Sequence, residues 1–167
     1  MAGYRRARVP GGTWFFTLVT ADRHPWLGDP HARSILADAM RAVRQQRPFL
    51  VDGIVVLPDH LHCIWTLPDG DSDFPGRWKS IKHRCTLRLR RQGILTGAAW
   101  QKHYWEHLVR DDADLHRHLD YIHYNPVKHG LCSSPADWSA TSFHRYVHNG
   151  FYDVDWGGPV EDLELPE

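Results

Sequence analysis

Strand-like and helix-like runs alternate along this chain in the order strand, helix, two strands, helix, strand, helix, and few architectures accept that order. Thr13 to Thr20 is aromatic and β-branched and follows a Pro-Gly-Gly turn at 10–12, which predicts a strand. Ile35, Ala39, Ala42 and Val43 recur at helical spacing between His31 and Arg47, and Pro48 stops the pattern. Phe49 to Leu57 and Leu61 to Leu67 read as two strands around Pro58 and Asp59. Trp78 to Arg91 reads as a helix ending at Gly93, and Tyr104 to Val109 as a short strand. Asp111 can cap a third helix running through Tyr124, with Asp114 in its first turn. The set predicts an α+β fold with a ferredoxin-like βαββαβ core. Its mainly antiparallel sheet carries helices on one face and leaves the other free to hold a site.

A chain of 167 residues fits one domain, expected over 1–133, with an extension over 134–167. Trp138, Phe143, Tyr146, Phe151, Tyr152 and Trp156 make that extension an aromatic tail packing back on the body, with Glu161 to Glu167 expected to be mobile. No stretch approaches the roughly 18 apolar residues of a membrane span. The basic N-terminus leads into a strand-like run rather than a signal-peptide core. Cys63, Cys85 and Cys132 are too few and too scattered for a disulfide framework or a four-cysteine zinc site. A cytoplasmic protein is the simplest expectation.

The net charge of zero conceals an asymmetry. Residues 1–110 carry 17 Lys and Arg against 9 Asp and Glu, whereas 111–167 carry 3 against 11. Arg77, Lys79, Lys82, Arg84, Arg88, Arg90 and Arg91 fall within fifteen residues that contain no acid. A helix so charged is either a solvated face or a phosphate-contacting one. Like charges without a nearby polyanion repel, which favours the second.

His60 and His62 alternate with Leu61 and Cys63 in a strand-like segment, so the two imidazoles share a face about 7 Å apart along the strand. They can converge on one divalent ion or stand as two surface histidines. On the third helix, Tyr121 and Asn125 are four apart and share a face. Pro126 is expected to kink or end the helix there and free the Asn125 side chain for a ligand. Tyr124 is a rival to Tyr121 but is rotated about 60° from it.

Taken together, these segments resemble the HUH single-tyrosine nucleases, and more narrowly the REP-associated tyrosine transposases. The resemblance rests on Pro10 to Thr20, Val55 to Trp65 with its Pro-Asp-His-Leu-His core, Tyr104 to Asp111, Asp120 to Leu131, and Pro135 to Phe143. It runs nearly the whole chain to about Trp156, with the motifs in order. It implies that 1–133 is a nuclease domain, that His60 and His62 are metal ligands with Asn125 in the third ligand position, and that Tyr121 is the nucleophile. It also implies cleavage of single-stranded DNA at REP-like hairpins through a 5′-phosphotyrosine link. The basic helix, with Lys128, would contact DNA. Two imidazoles and an amide oxygen suit Mg²⁺ and hold Mn²⁺ more tightly. Both a monomer and an exchanged dimer fit the pattern.

Two other readings fit the same residues. One is a domesticated hairpin-binding protein with little transposition. The other is a hydrolase in which His60, His62 and a carboxylate such as Asp59 activate water. Trp14, Phe15 and Phe16 are expected in the core, whereas Trp65 and Trp78 suit either the core or base stacking. Glu106 and His107 face opposite ways, so only one can line a site. His123 and His129 are expected to be solvated helix-end residues.

Overall fold

Side-chain alternation along the strands sorts the aromatic residues into two layers. The computed structural model describes residues 7–167, so the basic N-terminal residues Arg5 and Arg6 lie outside the described residues. Four strands, β1 (Thr13–Val19), β2 (Leu50–Val56), β3 (His60–Thr66) and β4 (Trp105–Leu108), form one sheet in the order β2-β3-β1-β4. Every neighbouring pair is antiparallel. This is the ferredoxin-like arrangement expected from the element order.

Trp14, Phe16 and Leu18 of β1 point to the same face as Leu61, Cys63 and Trp65 of β3. Helix α1 (Pro30–Gln46) and helix α2 (Phe74–Arg91) cover that face. Phe74, Trp78, Ile81, Cys85 and Leu89 recur at three- and four-residue spacing and make the buried stripe of α2. Asp29 and Asp73 cap these helices with their carboxylates, each followed by a proline in the first turn, where the missing N–H costs nothing. Trp65 and Trp78 are fully buried and stack at 4.1 Å between ring centroids, which takes both away from base stacking.

The opposite face is not left open. Helix α3 (Asp112–Lys128) lies across it, packing Leu119, Tyr121 and Ile122 against Phe15, Val55 and Ile64. The approach is close. A Cβ at Gly53 of β2 would stand 2.7 Å from Leu119 Cδ2, so a larger residue there would force the tip of that leucine to move. The two core helices keep to one face as expected, and the extra helix takes the other.

Helix α3 also continues where a break was expected. Pro126 sits inside it, buried, and His129 N–H still donates to the Asn125 carbonyl. The proline removes one helical donor, but its packing keeps the turn intact, and the helix stops only before Gly130 at φ 70°. After α3, the chain returns along β2. Thr141 bridges Val55, Trp138 Nε1 donates to the Val56 carbonyl, and Ser142 Oγ meets the backbone of Ile54. Helix α4 (Phe143–His148) follows. Among the described residues, no helix is long and apolar enough to cross a membrane.

Arg77 departs from its expected role. It is 1% exposed and donates to both oxygens of Asp71 and to the carbonyls of Arg47, Pro48 and Asp73. It therefore ties α2 to the end of α1 and offers no surface to DNA. The Arg77 guanidinium draws Asp71 down to about 2. The stability this adds is complete above pH ~4 and is lost as the pH falls through about 2. Arg77→Met is expected to lower folding stability by about 3 kcal/mol in urea titrations, because it leaves several buried carbonyl acceptors without their donor and Asp71 without its guanidinium. The same variant should lose this contribution to the acid limb of stability between pH 4 and 2.

Candidate active site

β3 and α3 bring the predicted ligands together. His60 and His62 are 2% and 0% exposed, with ring centroids 5.0 Å apart. Each ring is held by its Nδ1. His60 Nδ1 donates to Asp59 Oδ1 at 2.7 Å, and Asp59 is gripped in turn by Arg23 at 3.1 Å. Burial raises the Asp59 carboxyl, but the hydrogen bonds from His60 and Arg23 outweigh it and leave the group below its ordinary value, ionised. His62 Nδ1 meets Thr17 Oγ1 at 2.7 Å, a contact set by the β1–β3 register that pairs Thr17 with His62. Burial drives the His62 pKa well down, so this ring is neutral. With its proton on Nδ1, His62 keeps a lone pair on Nε2.

Three buried atoms then lack a hydrogen-bond partner: His60 Nε2, His62 Nε2 and Asn125 Oδ1. Two imidazole nitrogens and an amide oxygen with free lone pairs form a donor set that fits a divalent cation, and unsatisfied polar atoms in a core are otherwise costly. The residues present therefore fit the metal that the sequence implies. Tyr121, 3% exposed, lies with its ring edge toward His62 at 5.5 Å between centroids. Lys128 Nζ donates to the Tyr121 hydroxyl at 3.1 Å.

Glu167 belongs to this site, contrary to the mobile end expected from the sequence. Its Oε1 accepts from Asn125 Nδ2 at 2.7 Å and lies 3.3 Å from His62 Nε2, while Oε2 is 2.7 Å from His129 Nε2 and 3.5 Å from Lys128 Nζ. Burial raises the Glu167 carboxyl. His60, His62 and Glu167 form a group that could hold a metal ion. Leu163 and Leu165 anchor the segment on the apolar face of α3, which is why acidic composition alone misjudged it. His129, expected in solvent, is thereby drawn into the centre, with its ring 5.0 Å from His60.

Other expectations resolve differently. Tyr124 packs toward Trp156, at 6.4 Å between centroids, and is turned away from the histidines. His123 is buried between Ser142 Oγ and the Tyr152 hydroxyl, and burial takes its pKa down to about 3, so it is not a solvated residue. His107 pairs with Phe15 in the sheet and turns to the α3 face, where it meets Asp114 at 2.9 Å; Glu106 turns the other way with Phe16. His107, Asp114 and His118 form a second group with metal-like spacing. Its carboxylate is already engaged by His107, the Arg110 N–H and Arg117.

The basic helix lies across the sheet from this centre. Its cations are partnered by groups distant in sequence: Arg88 with Asp38 of α1, Arg84 with Gln46, Arg90 with the Gly97 carbonyl and Lys82 with the Gln101 carbonyl. Lys79 and Arg91 are exposed. Asp59 was legible beside His60, but Thr17 and Glu167 were not, because one needs the strand register and the other a long-range return.

The comparisons with known proteins agree with this fold. The chain is 43% identical to the REP-associated tyrosine transposase of Escherichia coli, over 100% of this chain and 98% of that protein. A Haemophilus influenzae protein under the same transposase description is 39% identical over 95% of this chain and 94% of its own length. A solved structure of a REP-associated tyrosine transposase bound to a REP hairpin superposes with a TM-score of 0.89 at 42% identity, covering 100% of this chain and 98% of that one. No protein-family model matches. The fold is that of a tyrosine transposase. The chain belongs to the REP-associated tyrosine transposase family.

Thr17 gives the test of the donor set. Thr17→Val keeps a β-branched side chain of similar shape but releases His62 Nδ1. It should weaken Mn²⁺ binding by about 10-fold or more in calorimetric titration, with the fold retained.

Proposed function

We propose that this protein cuts and rejoins single-stranded DNA at REP-like palindromic hairpins through a covalent bond to Tyr121. The observation that carries the reading is the grouping of His60, His62 and Asn125, each with a buried atom that makes no hydrogen bond, near the buried Tyr121 phenol. The E. coli relative and the hairpin-bound neighbour support it. In this reading His60, His62 and Asn125 hold Mg²⁺ or Mn²⁺. A divalent ion bound there neutralises charge on the scissile phosphate and orients it.

The chain's own residues do the rest. Tyr121 attacks phosphorus, so that the bond from its oxygen to phosphorus forms, the bond to the 3′ oxygen breaks, and the protein keeps a 5′-phosphotyrosine. The free 3′-hydroxyl can reverse the step, because a phenolate is a better leaving group than an alkoxide. Asp59 and Thr17 hold the two imidazoles in the tautomer that bears a lone pair toward the site. Burial of Tyr121 keeps water from replacing it as nucleophile. The reading places the protein in the cytoplasm at the nucleoid, as a monomer or a dimer.

The exposed side of α2, with Lys79, Lys82, Arg84, Arg88, Arg90 and Arg91, is proposed to contact the hairpin from the other face of the sheet. Replacing Arg84 and Arg91 by alanine should flatten the salt dependence of hairpin binding by roughly 0.7 per lost phosphate contact. An unchanged slope would make α2 a solvated face.

Tyr121→Phe removes one oxygen and should abolish cleavage and every covalent protein–DNA species, whereas Tyr124→Phe should keep both. Denaturing electrophoresis with 5′- and 3′-labelled hairpins decides this, and the label travelling with the protein should be the one on the 3′ side of the cut. Cleavage by Tyr121→Phe would transfer the role to water. Glu167→Ala should raise the cleavage rate in the same assay, since it removes the carboxylate that lies among the groups assigned to metal and phosphate.

A further inference from the structure

We propose that Lys128 is a catalytic residue rather than a DNA-anchoring one: its ammonium offsets the negative charge that Tyr121 Oη holds once its proton is lost for attack and again when it leaves phosphorus. The inference rests on Tyr121 being the nucleophile. Three observations on this chain lead to it.

The first is placement. Lys128 follows Tyr121 by seven residues, almost two helical turns, so the two side chains fall on one stripe of α3. Side chains on a helix lean toward its N-terminus, and a lysine at the end of α3 therefore reaches back over the preceding turns. This alignment exists only because α3 runs unbroken through Pro126; a helix ending at Asn125 would turn Lys128 elsewhere.

The second is contact. Lys128 Nζ donates to Tyr121 Oη at 3.1 Å and sits 4.8 Å from the ring centroid. A cation bonded to the phenolic oxygen strengthens as that oxygen becomes anionic, which is the condition for lowering a barrier rather than merely binding substrate. The third is that, among the described residues, no other hydrogen bond reaches that oxygen. His62 approaches Tyr121 through a ring contact.

The chemistry balances with water alone. In cleavage, the phenol proton passes to solvent, the Oη–P bond forms, the P–O3′ bond breaks, and the 3′ oxygen takes a proton from water. In rejoining, the 3′-hydroxyl gives its proton to solvent and attacks phosphorus, the Oη–P bond breaks, and the departing phenolate leaves against the Lys128 ammonium before taking a proton from water. Both directions load charge on one oxygen, so Lys128 should affect both.

The test compares Lys128→Met and Lys128→Arg with the parent, all carrying Glu167→Ala so that loss of the Lys128–Glu167 contact does not confuse the rates. Lys128→Met should slow single-turnover cleavage of a labelled hairpin, and rejoining, by about 100-fold, the usual loss for one charge-stabilising donor. Its hairpin and Mn²⁺ affinities should stay within about two-fold of the parent, and Lys128→Arg should recover most of the rate. Incorporating 3,5-difluorotyrosine at position 121, a more acidic phenol, should rescue Lys128→Met by about ten-fold or more while changing the parent little, because a stable phenolate no longer needs the cation. An undiminished rate in Lys128→Met, or a rate loss matched by lost hairpin affinity without rescue by the fluorinated phenol, overturns the proposal. Cleavage by Tyr121→Phe would instead overturn the reading beneath it.

Discussion

The pairing of β1 with β3 is the constraint on which the centre depends. It sets Thr17 opposite His62 and Val19 opposite His60, and it sends Leu61, Cys63 and Trp65 into the layer beneath α1 and α2. A shift of one residue would bury the imidazoles among tryptophans and turn Leu61 toward α3, so the hydrophobic core itself enforces the orientation of the ligands. The packing that makes the fold stable also aims His60 and His62 at α3. The hydrogen bonds from Asp59 and Thr17 then select which nitrogen of each ring faces the site.

Helix α3 supplies the remaining half. Its seat on the sheet depends on the bare backbone at Gly53, which lets Leu119 approach closely enough for Tyr121 and Asn125 to reach the histidines. Its length depends on Pro126 being buried and tolerated. A proline inside a helix costs one hydrogen bond and some crowding, and here tertiary packing outweighs that cost. The strongest local signal in this part of the sequence therefore pointed to a break that the surrounding contacts override.

Much of the architecture was legible because it is periodic. Alternation in β1 and β3, the three- and four-residue spacing in α1 and α2, and the Asp111 cap of α3 each announce an element from neighbouring residues alone. His60, His62, Tyr121 and Asn125 were legible for a related reason, since each pair lies on one face of one element. What escaped is long-range. The run of cations in α2 contains no acid in sequence, yet Asp38 and Asp71 reach it in space, and Arg77 vanishes into the core. Glu167 escaped because two leucines, not its own charge, decide where the acidic segment lies.

That segment has a consequence for how strongly anything binds at the centre. Glu167 is tied to the same chain as the groups it meets, and a tethered group acts at an effective concentration on the order of millimolar. A phosphate arriving from solution faces a competitor that is never diluted. Its apparent affinity is the intrinsic affinity multiplied by the fraction of molecules in which that internal rival is displaced. Lowering the protein concentration leaves this handicap untouched, whereas adding contacts along a longer strand overcomes it. The centre is thereby biased against isolated phosphates and short oligonucleotides and toward ligands that grip the protein at several points at once.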